Sequence, residues 1–87
     1  MSGYAQMGRL LTEAPTMEDL VQRGIAFASG RAGRVDYVEA HKWANVASAN
    51  GSEAAAERRD VLANLMTAEQ VAEAQARAKK FLSEQGK

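Results

Sequence analysis

The positions at which helices are told to begin constrain this chain more than any other feature. Thr16 is followed by Glu18 and Asp19, and Asp36 is followed three residues later by Glu39. Ser52 precedes Glu53 and an alanine run, and Thr67 is followed three residues later by Gln70. Each signal places a short oxygen-bearing side chain where it accepts from backbone N–H groups that a new helix leaves unpaired. Asp36–Glu39 and Thr67–Gln70 have the spacing of a capping box, in which the later side chain reaches back to the cap's own N–H. No strand-like alternation of any length intervenes, and the one proline, Pro15, disfavours helix at Ala14 just before the first signal. The pattern predicts an all-α fold of about four helices arranged as antiparallel hairpins.

The apolar spacing supplies the faces. Over residues 17–29, Met17, Leu20, Val21, Gly24, Phe27 and Ala28 form one helical stripe, and Gly30 is placed to end the helix. Over 37–50, Tyr37, Ala40, Trp43 or Ala44, and Ala47 share a face that stops at Gly51. Over 53–66, Ala55, Leu62, Leu65 and Met66 are expected inward. Over 68–84, Val71, Ala74, Ala78, Phe81 and Leu82 are expected inward. Gly24 inside a helix costs about 1 kcal/mol relative to alanine, so it needs a steric reason. A large neighbour such as Trp43 or Tyr37 above it is the expected one. In the head of the chain, Tyr4, Met7, Leu10 and Leu11 are also spaced helically. Residues 1–15 are read as a lead-in, either a short helix or disordered.

Charge narrows the function classes. Lys plus Arg and Asp plus Glu number eleven each, and residues 1–51 and 52–87 are each balanced within themselves. No half is basic, which argues against a nucleic-acid or anionic membrane surface as the main partner. With no cysteine, disulfides, thiolate zinc sites and a thiol nucleophile are excluded. The head has no charged region followed by a continuous apolar one, and serine rather than glycine stands at position 2. No apolar run approaches the roughly 20 residues of a membrane span. A cytoplasmic protein without membrane insertion is expected.

The stretch from Gly24 to Ala55 resembles one unit of the Sel-one-like repeat family, a relative of the tetratricopeptide repeats. Gly24, Phe27, Gly30, Asp36, Tyr37, Ala40, Trp43, Ala47, Gly51 and Ala55 match that family's pattern in order and spacing. The tail from Arg58 to Ala78 is similar to the segment that follows the last such repeat in many small bacterial proteins. The match spans roughly residues 17–82. It implies a right-handed α-solenoid fragment, with residues 16–87 forming a single repeat domain and a terminal helix pair. Two departures stand out. The second loop glycine is displaced by one, to Gly33, and Ala44 occupies a place where the family often has a larger aromatic. The second departure leaves less bulk on the second helix, and with it room for a shallow pocket or a partner's docking place.

Catalytic and ligand chemistry find few footholds. His41 is the only histidine and lacks a second ligand at metal spacing, so an exposed or half-packed residue is expected. Gly30-Arg31-Ala32-Gly33-Arg34 precedes a helix start and has the composition of an anion loop. It has no Gly-Lys-Ser/Thr and follows no strand, so glycines that turn the chain are the simpler reading. Trp43 is expected in the core. No nucleophile–base–acid order or nucleotide fingerprint occurs, so neither an enzyme nor a cofactor is expected.

The expectation is an interaction module, a small adaptor or accessory subunit of a larger bacterial complex. A repeat unit standing nearly alone exposes a face that a protein partner or a second copy would cover. The resemblance implies that the first helix lines the partner groove, through Asp19, Gln22, Arg23 and Ala26. Arg31, Arg34, His41 and Asn45 are the polar residues that helix framing leaves unexplained, and they complete the candidate set. The alternative is a small anion- or nucleotide-responsive regulator using Arg23, Arg31, Arg34 and His41.

Overall fold

A computed structural model describes residues 16–85. All regular structure among the described residues is helical: α1 (Met17–Ser29), α2 (Tyr37–Ala49), α3 (Glu53–Ala63) and α4 (Ala68–Gln85). The lead-in expected over residues 1–15 lies outside the described residues.

All four start signals act as caps. Thr16 Oγ1 accepts from the Asp19 N–H at 3.1 Å, while the Asp19 carboxylate accepts from the Thr16 N–H at 3.0 Å. This is a full capping box built with aspartate rather than glutamate. Thr67 and Gln70 form another, at 3.1 and 2.9 Å. The Ser52 hydroxyl accepts from the Ala55 N–H at 3.0 Å. Asp36 caps α2 by accepting from the Glu39 N–H at 3.1 Å, but the expected reciprocal bond is absent. The Asp36 N–H is already spent on the Phe27 carbonyl, 3.0 Å away, where the α1–α2 loop folds back on α1. Glu39 is thereby left for other partners.

Gly30 closes α1 at φ 87°, and Gly33 turns the loop at φ 111°. Both conformations strain any residue with a Cβ, which explains the glycines without a bound anion.

The middle helix organises the rest. α1, α3 and α4 each pack on α2. Leu20, Trp43, Val46, Ala47, Ala55 and Ala78 form the buried core, with Val21, Phe27, Phe81 and Leu82 packed against it. Trp43 is in the core, as expected, with its ring edge-on to Phe81 at a centroid distance of 4.9 Å. Ala74 and Ala78 are the buried residues of α4, one turn apart, and their small side chains bring α4 close to α2.

Three expectations are corrected. Leu65 is 60% exposed rather than inward. α3 ends at Ala63, and the Asn64, Leu65 and Met66 N–H groups bond three residues back, so the chain leaves the helical path before Leu65 can follow Leu62 inward. Met17, also expected inward, is 36% exposed because it stands at the very start of α1. Gly24, finally, is not capped by an aromatic ring. A Cβ built there would sit 3.4 Å from the Ala40 carbonyl oxygen, 3.5 Å from the Ala44 nitrogen and 3.7 Å from Trp43 Cβ. The nearest neighbours of that position are backbone atoms of α2, at ordinary van der Waals distance from a Cβ.

Candidate partner-docking groove

Because α1 and α3 both lean on α2, a cleft opens between them. Its floor is Ala40 and Ala44 of α2. Val21, Gly24, Ile25 and Ala28 of α1 form one wall. Ala54, Ala55, Val61 and Leu62 of α3 form the other, with Glu57 and Arg58 as its charged members. The volume is about 450 Å³, within the usual range of ligand and peptide pockets. Glycine, alanine and valine make up most of the lining, with Ile25 and Leu62 as its larger apolar members. Ala44 lies on its floor, at the position where the resemblance left room for a pocket. Val61, an apolar residue on the α3 wall, is 63% exposed.

None of the eight candidate residues read from the sequence lines this cleft. Asp19 is engaged in the α1 cap. Gln22 donates to Glu18 at 3.0 Å and accepts from Arg31 Nη2 at 3.2 Å, on the outer side of α1. The Ala26 carbonyl accepts from the Ala32 N–H at 3.2 Å, inside the loop closure. Arg34 pairs with Asp36 at 3.3 Å. The Arg23 guanidinium stacks 4.9 Å from the Trp43 ring centroid. The three arginines named for an anion site are thus each held by a different neighbour, one of them by an acid. The structure joins Gln22 to Arg31 and leaves Arg34 apart.

His41 and Asn45 lie one turn apart on α2. Asn45 accepts from Arg59 Nη1 at 3.3 Å, and the same nitrogen lies 3.4 Å from Ser48 Oγ. His41 corrects the expectation of an exposed or half-packed residue: it is 2% exposed, and its Nδ1 has no hydrogen-bond partner. Burial holds its pKa below the ordinary histidine value, and Arg59 lowers it further, against an opposing pull from Asp60.

A polar cluster joins α2 and α4 at their seam. Glu39 Oε1 accepts from the Trp43 indole N–H at 3.2 Å and lies 3.8 Å from Lys42 Nζ. Glu39 Oε2 accepts from Arg77 Nη1 at 2.6 Å, and Arg77 Nε also reaches Glu73 at 2.8 Å. Lys42 sits 4.2 Å over the Trp43 ring. The i, i+4 pair Glu73–Arg77 is visible in sequence, whereas the bond to Glu39 joins residues 38 apart. These links orient Trp43 and tie α4 to α2, a structural task.

Comparison with known protein families, with curated proteins and with solved structures finds no match for this chain. Among the described residues, no helix is long and apolar enough to cross a membrane.

Proposed function

We propose that this chain is a non-enzymatic protein–protein interaction module, a small adaptor or accessory subunit of a larger bacterial cytoplasmic complex. In this reading it is one Sel-one-like repeat with a terminal helix pair, wound as a short right-handed solenoid fragment. The cleft between α1 and α3 carries the proposal. It is mostly apolar, with a floor of Ala40 and Ala44 and mainly small side chains in its walls. Such a cleft suits an amphipathic helix whose large apolar side chains recur at i, i+3 or i+4, and i+7, with polar groups set toward Glu57 and Arg58. The docking face is accordingly the α1–α3 cleft, in place of the outer side of α1.

The test is co-purification from the native host with two variants. Ala54→Glu puts a charge on the cleft wall, and Gln22→Ala alters the outer side of α1. A cognate partner should be lost with Ala54→Glu and kept with Gln22→Ala. Its binding should also shift the methyl resonances of Ala44, Ala54 and Val61. Equal capture by both variants, or a footprint confined to Gln22 and Arg31, would sink the reading.

A further inference from the structure

The exposed side of α3 is its own complement. Ala54, Glu57, Arg58 and Val61 all line the cleft, and all four are exposed. They stand at i, i+3, i+4 and i+7, so they form one stripe about 10 Å long. The steps of three, one and three residues read the same in both directions. An antiparallel copy of α3, related by a two-fold axis between residues 57 and 58, therefore meets this stripe in register. Ala54 of one copy falls beside Val61 of the other, small against large. Glu57 of one copy falls beside Arg58 of the other, so opposite charges meet on both sides of the axis.

The stripe is free for such a contact. Val61, at 63%, is the most exposed large apolar side chain among the described residues. Among the same residues, no ion pair engages Glu57 or Arg58. Other α3 side chains hold the fold: Ala55 and Leu62 are buried, and Arg59 bonds to Asn45 and Ser48 of α2. The short side chain of Ala54 lets a second helix axis come close. The chain carries eleven charges of each sign, so no net repulsion opposes its meeting a copy of itself.

We propose that two copies of the free protein pair through this stripe, α3 against α3 in antiparallel sense, each lying along the α1–α3 cleft of the other. The inference rests on reading the cleft as a helix-docking site, and it names the helix that fills it when no other is present. The interface is isologous, so every favourable contact occurs twice. One short stripe per copy makes it small, which places the dimer in the micromolar to millimolar range. A partner helix takes the same place, so partner capture and self-association exclude each other.

The test is charge exchange in the full chain, read by sedimentation equilibrium. Glu57→Arg sets two arginines against each other on both sides of the axis, and Arg58→Glu sets two carboxylates there. Each variant alone should self-associate roughly tenfold more weakly than the parent. The double variant, Glu57→Arg with Arg58→Glu, keeps the parent's net charge and restores both opposite pairs, so it should recover the parent's association. The absence of cysteine lets a cross-link read the register separately. Ala54→Cys mixed with Val61→Cys should cross-link roughly tenfold faster than either variant alone, whose two thiols lie about 10 Å apart along the helices, beyond disulfide reach. A parent chain that stays monomeric up to millimolar concentration overturns the proposal. Single variants that associate like the parent, a double variant that stays dissociated, or cross-linking indifferent to position also overturn it. A monomer whose cognate partner is lost with Ala54→Glu removes this inference and leaves the docking reading. A dimer in this register, with a cognate partner indifferent to Ala54→Glu, removes the partner from the cleft and leaves this inference.

Discussion

His41 is the residue whose burial has the clearest consequence. An imidazole enclosed in α2 with an unpartnered Nδ1 has lost water without gaining a bond, which costs about 1–3 kcal/mol. Its folded pKa lies below the ordinary histidine value of 6.5, first through burial and then through the Arg59 charge, with Asp60 and a backbone hydrogen bond opposing. The unfolded chain therefore binds the proton more readily than the folded one. Stability contributed by neutral His41 is fully present above 6.5, and it is lost as pH falls from there toward the folded pKa. His41→Leu keeps the volume approximately and removes both penalties. It should raise stability by about 1 kcal/mol near neutrality and flatten the acid side of the pH profile. Urea unfolding of both proteins, on either side of pH 6.5, measures this. Parallel pH slopes would show that another group sets the acid sensitivity.

At the scale of elements, a side chain added to α1 at Gly24 would meet the backbone of α2. A Cβ there meets the Ala40 carbonyl oxygen at 3.4 Å, an ordinary contact, so alanine fits and regains about 1 kcal/mol of helix propensity. A β-branched side chain drives at least one methyl into Ala40 or Ala44. Gly24→Ala should therefore lie within about 1 kcal/mol of the parent, and Gly24→Val should lose about 1–3 kcal/mol by overpacking. Thermal melts separate the two, and equal stabilities would mean that α1 slides freely on α2. What the sequence revealed divides along the same line. Helix starts were legible because a cap and its N–H lie within three residues, and Gly30 and Gly51 marked ends for the same local reason. The end of α3 was misread because Leu65 and Met66 continue the apolar spacing after the hydrogen bonding has tightened. The cleft, the Glu39–Arg77 bond and the burial of His41 each depend on how helices distant in sequence are set against one another. For these, only the small residue at Ala44 hinted at the space that opened.

At the scale of the whole molecule, dependence on α2 makes stability uneven. α2 is covered by three helices, whereas α3 buries only Ala55 and Leu62 and carries Val61 exposed. Full burial of a leucine contributes about 2 kcal/mol, and the Arg59 bonds to Asn45 and Ser48 are long, at 3.3 and 3.4 Å. A small domain has little stability in reserve, so α3 should open by itself well below the global unfolding free energy. Native-state hydrogen exchange in low urea should find the α3 amides exchanging through a sub-global opening, and the α2 amides only through complete unfolding. The same experiment reads the cleft. A helix lying between α1 and α3 binds only while α3 is in place, so it adds its binding free energy to the α3 opening. Slowing should appear in α3 at ligand concentrations that leave α2 exchange unchanged, until α3 opening becomes as costly as unfolding. If α2 and α3 exchange together in the free protein, the four helices are one cooperative unit, and a partner in the cleft would protect both alike.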